Sequence, residues 1–175
     1  PNRFDEESKL GYLSAAGVCF LTLVALDRKL RENNIKSNVD LKLYLDLVAL
    51  ATICDVVPLR FLNRAFVSTG LKVMGWRQNH GLKALFDLSN LREIPNEQNL
   101  GYIIGPRINA AGRLGNSNLG VQLLCCNSEV EASVIADKLN HLNEKRKDIQ
   151  NSVLESAINK LDKLDISNKN VIVLA

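Results

Sequence analysis

Residues 129–164, with the sequence EVEASVIADKLNHLNEKRKDIQNSVLESAINKLDKL, decide the fold class because they contain neither glycine nor proline. Apolar residues recur along this stretch at helical spacing, namely Ile135, Leu139, Leu142, Ile149, Val153, Leu161 and Leu164. The pattern predicts a single helix about 54 Å long, at ~1.5 Å per residue. Its middle, residues 143–148, is charged on every side, which is typical of an exposed strut between two domains. A short coiled coil is the alternative.

The rest of the chain also has mainly helical patterns. A helix is predicted to begin after a cap within residues 5–8 and to run to about Asn33. Further helices are predicted over residues 41–54, 63–76, 81–88, 96–104 and 118–125, with Gly, Pro or Asn signals between them. Residues 171–175, VIVLA, are typical of a buried strand. The chain is therefore expected to be mainly α-helical, and both ends are expected to continue into a longer protein.

The composition is that of a globular protein with an ordinary core. Of its 175 residues, 46% are hydrophobic and 23% are charged, which excludes a disordered chain. The longest uncharged stretch, Leu10–Leu26, is shorter than the roughly 20 apolar residues of a membrane span and is predicted to be a buried helix, so no membrane partner is expected. Four cysteines without a C-x-x-C spacing are interpreted as reduced and buried, which indicates a cytoplasmic protein: Cys19, Cys54, Cys125 and Cys126.

Basic residues are concentrated in one part of the chain. The net charge of +3 is too small to establish a polyanionic partner by itself. No acidic residue lies between Asp55 and Asp87, however. Five lysines and arginines in this interval are interleaved with aromatic residues: Arg60, Arg64, Lys72, Arg77 and Lys83, with Phe61, Phe66 and Trp76. The arrangement is compatible with a face that follows a phosphate backbone. Ordinary solvated helix faces, with the aromatic rings in the core, are the alternative.

Residues 105–113, GPRINAAGR, are the strongest indication of a ligand site. They place Arg107, Asn109 and Arg113 in a segment with a glycine near each end, which is predicted to be a turn. The two guanidiniums suit phosphate oxygens, and residues 98–128 contain no acid that could pair with them locally. An anion site is predicted, although the segment lacks the Lys-Ser/Thr of a nucleotide P-loop. A structural loop with helix-capping or distantly paired arginines is the alternative.

Asp55 interrupts an otherwise apolar run, residues 47–59. A carboxylate is expensive to bury unless it is paired, hydrogen-bonded or bound to a metal, so a buried ion pair and metal ligation are both compatible with this position. Asp46, nine residues earlier, is predicted to face solvent. His80 and His141 do not stand with acidic residues at ligand spacing, so this chain alone is not predicted to assemble a two-metal site.

Several blocks of the sequence resemble one protein family. The first is residues 47–70, which include CDVVPL, and the second is residues 101–120, which include GPRINAAGRL. Together with the opening block, residues 1–26, they resemble the RecJ-type single-strand-specific DNA exonucleases of the DHH phosphoesterase superfamily. The resemblance extends over essentially the whole chain, and its blocks occur in the order found in that family.

The resemblance implies an α/β parent protein of which this chain is a mainly helical part. Residues 1–128 would be the C-terminal part of the DHH catalytic domain. Residues 129–166 would be a connector helix, and residues 167–175 the first strand of a second, DHHA1-type domain. The implied activity is degradation of single-stranded DNA from its 5′ end with Mn²⁺ or Mg²⁺, in DNA repair and recombination.

The resemblance also assigns roles to individual residues. Asp55 matches a catalytic metal ligand of the family, and Arg107, Asn109 and Arg113 match contacts to DNA or its phosphates. Single-stranded DNA is the implied partner, with a helicase and a single-strand-binding protein as further candidates.

The family's upstream acidic motifs and its Asp-His-His motif are absent from this chain. The chain is therefore predicted to be inactive alone, whereas the longer parent protein is predicted to be active. A non-catalytic nucleic-acid-binding relative remains an alternative. So does a helical module in which residues 129–164 dock on another protein.

Overall fold

The computed structural model describes residues 5, 7, 9–115, 118–162, 171 and 173. In this part the chain forms seven α-helices, namely α1 (Ala15–Glu32), α2 (Leu45–Cys54), α3 (Phe61–Gly75), α4 (His80–Leu88), α5 (Gly105–Arg113), α6 (Asn118–Leu124) and α7 (Glu129–Leu161). A 3₁₀ helix, Leu41–Tyr44, precedes α2, and a π-helical segment, Asn99–Ile104, precedes α5. The described residues contain no β-strand. The prediction of a mainly α-helical chain is confirmed.

Helix α7 is the long helix predicted from the pattern of residues 129–164. It begins at Glu129, where the Ser128 hydroxyl caps it by accepting the backbone N–H of Glu131. It continues to Leu161, which makes it about 50 Å long at ~1.5 Å per residue. The last predicted residues, 163 and 164, lie outside the described residues, as does most of the predicted strand at 171–175.

Helix α1 begins later than predicted. Its N-cap is Ser14, whose hydroxyl oxygen accepts the Gly17 N–H at 3.1 Å and lies 3.2 Å from the Thr52 hydroxyl oxygen of α2. This link to α2 explains why the start is at Ser14 and not at the acidic residues before it. Only Gly17 and Phe20 of α1 are buried. The prediction that Leu10–Leu26 is a buried helix is therefore wrong at both ends. Residues 10–14 precede the helix, and residues 22–26 are exposed because only one face of α1 meets a neighbour.

The four cysteines are free, but they are not buried as predicted. Cys19 and Cys125 are exposed, and Cys54 and Cys126 are half-buried. Cys19 lies on the exposed side of α1, Cys54 is the last residue of α2, and Cys125 and Cys126 follow the end of α6, so the local composition overstated their burial. Among the described residues, no helix is long and apolar enough to cross a membrane.

Helix α2 lies between two hydrophobic clusters. Its sequence, LDLVALATIC, is apolar on almost every side, so it can be buried on more than one face. Leu45 and Val48 belong to the smaller cluster, which α2 shares with α1 and α3. Ala49 and Leu50 belong to the larger cluster, which extends from α3 to the first half of α7. The position of α2 therefore links the two halves of the core.

Gly70 allows α3 to approach α2 closely. A Cβ atom at this position would lie 2.2 Å from the Leu45 carbonyl oxygen and 2.5 Å from the Ala49 Cβ. Both distances are far below van der Waals contact, and the first involves backbone that cannot rotate away. The two helices therefore need a residue without a side chain at this crossing.

We expect Gly70→Ala to lower the free energy of unfolding by about 1–3 kcal/mol, because the added methyl group overpacks the α2–α3 crossing. Gly112→Ala is the matched control. Gly112 is also helical, and no atom lies within 4 Å of the point that a Cβ would occupy there, so this change should stabilise by up to about 1 kcal/mol through helix propensity. Urea denaturation of both variants measures the difference. Wild-type stability of Gly70→Ala would contradict the close crossing.

Candidate nucleic-acid interface

The segment GPRINAAGR lies on a helix and not on a turn, so the prediction of a turn is wrong. The helix begins at Glu97, passes through the π-helical segment and continues as α5 to Arg113. Asn96 and Asn99 cap its start by accepting each other's backbone N–H with their side-chain oxygens, at 2.9 and 3.0 Å. The whole stretch is thus one helical element, residues 97–113.

The glycine and proline of the motif are explained by packing and by the π-helical segment. Pro106 has no N–H and would crowd the carbonyl four residues earlier in a regular helix. The preceding segment is wider than an α-helix, and the Gly105 N–H donates to the Leu100 carbonyl, five residues earlier. A Cβ on Gly105 would lie 2.5 Å from Cys54 Sγ, so the glycine lets this helix contact the end of α2. π-Helical turns of this kind are frequent at functional sites.

One face of residues 97–113 lines an open pocket of about 470 Å³. Tyr102, Asn109 and Arg113 contribute to its lining at roughly helical spacing. The end of α2 contributes Ile53 and Cys54, the loop after it contributes Val56, and α7 contributes Arg146. Glu97 is an acidic member of the same lining. With Gln98, which also lines it, the pocket combines two guanidiniums, two amides, an aromatic ring and one carboxylate.

Neither arginine of the pocket is neutralised by an ion pair among the described residues. Arg113 is exposed. Arg146 donates from Nε to Asn143 Oδ1 at 3.3 Å and from Nη1 to Gln150 Oε1 at 3.1 Å, so neutral partners orient its guanidinium without cancelling the charge. Positive charge of this kind is available to an anion. The structure thus places Asn109 and Arg113 together, as the motif predicted, and adds Arg146.

Arg146 was missed because the middle of α7 was predicted to be solvated on every side. That prediction is wrong, since Asn143 is only 1% exposed and Arg146 is half-buried. The available signal was an uncharged Asn beside a block of charges, which indicates where the helix still contacts the core.

Arg107 has a different role from its two companions in the motif. Its Nε donates to Asn140 Oδ1 of α7 at 3.0 Å, and its Nη1 donates to the Ile103 carbonyl at 2.7 Å. The side chain is half-buried, and it does not belong to the pocket lining. These contacts support a structural role in which Arg107 holds α5 against α7.

Asp55 is the C-cap of α2, and it is exposed. The interpretation as a buried ion pair is therefore wrong, because the carboxylate is solvated and makes no ion pair among the described residues. The apolar run around it belongs to α2 only as far as Cys54, so its continuation does not bury Asp55. Its two neighbours, Cys54 and Val56, both line the pocket. Asp55 thus lies at the edge of the site that contains Asn109 and Arg113.

The loop after Asp55 has an unusual backbone that the core holds in place. Val56 has φ 54° although it is β-branched, a left-handed conformation that costs about 1–2 kcal/mol for a residue with a branched side chain. Asn63, which is fully buried, donates from Nδ2 to the carbonyl oxygens of Pro58 at 2.9 Å and Tyr12 at 2.8 Å. These bonds fix the loop to α3 and to the N-terminal segment. Strain of this kind is concentrated at functional sites.

Asp46 is buried, which contradicts the prediction that it faces solvent. It is only 7% exposed, because the first turn of α2 is enclosed by both clusters. Burial raises the pKa of this carboxyl group to about 6, although the Leu47 backbone N–H donates to Oδ1 at 2.6 Å and favours the charged form. The carboxylate that is expensive to bury is therefore Asp46 and not Asp55.

We expect Asp46→Asn to stabilise the chain at pH 7 by up to about 3 kcal/mol. The folded pKa of about 6 is above the unfolded value of 3.8, so the contribution of Asp46 to stability is fully present below pH 4 and is lost as the pH rises through 6. The amide removes this loss and can still accept the Leu47 N–H. Denaturation of both proteins between pH 4 and 7.5 tests this, and a difference that does not depend on pH would contradict it.

The basic run between Asp55 and Asp87 does not form one unpaired face. Arg77 pairs with Asp87 at 2.8 Å, and Lys83 pairs with Glu129 at 2.8 Å. Phe66 is buried in the smaller cluster. The alternative of ordinary helix faces therefore describes Arg77 and Lys83. Its placement of the aromatic rings in the core is correct for Phe66 and wrong for Phe61 and Trp76, which are 78% and 59% exposed. Arg60, Arg64 and Lys72 are exposed and make no ion pair among the described residues, so the run keeps some available charge outside the pocket.

The described residues do not complete a metal site. They contain no group of three or more His, Cys, Asp and Glu side chains placed to hold a metal ion. Asp55 therefore has no companion ligands within the part of the chain that the structure describes, and it could supply only one carboxylate to a metal centre.

No family model matches the sequence. A curated relative, the single-stranded-DNA-specific exonuclease RecJ of Dickeya dadantii, is 37% identical over 175 residues, which is 95% of this chain and 30% of the relative. The first curated relatives that it matches are about three times longer, since the chain spans 30–31% of their length.

Two solved structures have a similar fold. RecJ from Thermus thermophilus in complex with Mg²⁺ superposes with a TM-score of 0.70 at 32% identity, over 79% of this chain and 21% of that one. An exonuclease RecJ bound to manganese superposes with a TM-score of 0.75 at 31% identity, over 89% of this chain and 38% of that one. The curated relatives that the chain matches are single-stranded-DNA-specific exonucleases, and the solved structures that share its fold are RecJ proteins. The chain therefore belongs to the RecJ family, over the part of the relatives' length that it spans.

Proposed function

We propose that this chain is the DNA-binding helical part of a metal-dependent exonuclease that degrades single-stranded DNA from its 5′ end. The observation that carries the proposal is the pocket where Asn109, Arg113 and Arg146 meet the end of α2 beside Asp55. Membership of the RecJ family supports the reaction and the substrate. Roles in DNA repair and recombination, a cytoplasmic location, and a helicase or single-strand-binding partner are further parts of the proposal.

The pocket suits a phosphate backbone better than a small anion. It is open and about 470 Å³ in volume, so a chain of nucleotides can pass along it. Arg113 and Arg146 come from two different helices, and guanidiniums bind phosphate oxygens with two donors each. The Asn109 amide adds a donor on the same face as Arg113. Glu97 lowers the net positive charge of the lining. This favours an extended ligand whose phosphates contact the arginines and which need not contact Glu97.

We expect Arg113→Ala and Arg146→Ala each to weaken binding of a 5′-phosphorylated single-stranded oligonucleotide by about tenfold, because each loses a charge-assisted contact. Each change should also reduce the slope of log K against log salt by about 0.7. Fluorescence anisotropy at several salt concentrations measures both quantities. Arg28→Ala, on the exposed face of α1, is the control with the same loss of charge and should bind like wild type.

Arg107→Ala provides a contrast within the same motif. It should lower the free energy of unfolding by about 1–2 kcal/mol, because it loses its bonds to Asn140 and Ile103, and it should keep binding while folded. If Arg113→Ala and Arg146→Ala bound as tightly as wild type, the pocket would not be the DNA site.

Asp55 is proposed as one ligand of a Mn²⁺ or Mg²⁺ centre in the longer protein. The two solved relatives contain Mg²⁺ and manganese. Two-metal hydrolysis of a phosphodiester needs several carboxylate or imidazole ligands around the ions, and the described residues contain no such cluster. The remaining ligands would have to come from outside the part of the chain that the structure describes.

We therefore expect this chain alone to release no mononucleotides from a 5′-labelled single strand in the presence of Mn²⁺, while it still binds that strand. Gel analysis of the labelled products measures the release, and anisotropy of the same sample measures the binding. Hydrolysis that is lost in Asp55→Asn would show that the metal centre is complete, and would contradict the proposed need for ligands elsewhere.

A helical interaction module remains a second candidate, because the second half of α7 exposes apolar side chains. Ile149, Val153, Leu154 and Ile158 are each about half exposed or more. Concentration-dependent self-association without affinity for DNA would favour this function. A non-catalytic DNA-binding relative would instead require that the full-length protein bind DNA without hydrolysing it.

A further inference from the structure

Tyr102 is an exposed aromatic ring at the edge of the pocket. Its side chain is 83% exposed, and it lines the pocket together with Asn109 and Arg113. Within the described part of the chain its ring packs against no other aromatic ring. An aromatic ring of this size is usually at least partly covered. The face of Tyr102 is therefore accessible to a ligand.

The backbone beneath Tyr102 is held firmly. Leu100 and Ile104, two residues before and after it, are both fully buried in the larger cluster. The Gly105 N–H closes the π-helical turn by donating to the Leu100 carbonyl. Two buried anchors on one side of the helix thus leave Tyr102 on the other side, and a ring presented from such a fixed backbone loses little entropy when it binds.

We infer that Tyr102 stacks on an unpaired nucleobase and thereby selects single-stranded over double-stranded nucleic acid at this pocket. The inference rests on the proposed function, in which the pocket holds a DNA backbone. Arg113 and Arg146 bind phosphates, and phosphates are present in both single and double strands. Inside a duplex both faces of each base are already stacked on neighbouring base pairs, so an interior base has no face to offer the ring, whereas an unpaired base does. Stacking of this kind tolerates any base, since every base has an aromatic face.

Three ligands of equal length distinguish base stacking by Tyr102 from binding of the phosphate backbone. They are a 5′-phosphorylated oligothymidylate, the same chain with abasic tetrahydrofuran sites in place of the nucleosides, and a blunt duplex. Anisotropy measures the dissociation constant of each for wild type, Tyr102→Ala, Tyr102→Phe and Arg113→Ala. Tyr44→Ala, which removes a half-exposed tyrosine outside the pocket, is the matched control. Circular dichroism establishes that each variant is folded.

The expected result is that Tyr102→Ala weakens oligothymidylate binding by about 5- to 100-fold and leaves abasic and duplex binding unchanged. Tyr102→Phe should stay within about twofold of wild type, because it keeps the ring. Arg113→Ala should weaken all three ligands. Equal affinity of Tyr102→Ala and wild type for oligothymidylate, or an equal loss for the abasic chain, would overturn the stacking role but leave the phosphate site intact. If the wild-type protein bound none of the three ligands, the proposed function would be overturned as well.

Discussion

Close packing of α2 is the constraint on which the rest of the structure depends. Gly70 brings α3 against its first turns, and Gly105 brings the helix of residues 97–113 against its last residue, Cys54. Neither contact could form if the glycine were replaced by a residue with a Cβ atom. Since the pocket begins where α2 ends, its shape follows from the same packing that stabilises the core. The site is thus part of the hydrophobic framework and not a loop added to it.

Much of the helical fold could be predicted from the sequence, because apolar periodicity is a local signal. The positions of α3, α4 and α6 were predicted to within about two residues, and the helix predicted over residues 41–54 is a 3₁₀ helix followed by α2. Helix α7 was predicted from a long stretch without Gly or Pro. The start of α1 could not be predicted in this way, since it depends on Ser14 meeting Thr52 of another helix. The segment GPRINAAGR was wrongly predicted to be a turn, because its helical conformation also depends on contact with another helix. Gly and Pro usually break helices, but here they serve a crossing with α2 and a π-helical segment.

The candidate site was predictable in part. The motif identified Asn109 and Arg113, which do share a pocket, but it could not separate them from Arg107, which donates to Asn140 of α7 and to the Ile103 carbonyl. Arg146 and Tyr102 required the fold, because their membership of the site depends on how distant helices cross. The two aspartates of α2 illustrate the same limit. The apolar run indicated that a carboxylate would be costly to bury, but whether Asp46 or Asp55 is enclosed depends on which end of the helix meets both clusters.

Asn143 is the last buried residue of α7, and the half-buried Arg146 lies where the helix leaves the core. From residue 144 to Leu161 it extends for about 27 Å, at ~1.5 Å per residue. An α-helix of this length is stiff, so its exposed part can rotate as one rigid rod about the position of Arg146 at the pocket. Over this length, a rotation of about 5° at Arg146 displaces the far end of the helix by roughly 2 Å. A force on the distal half of α7 would therefore act at Arg146, which lines the pocket, and a ligand held by Arg146 would in turn restrain the helix.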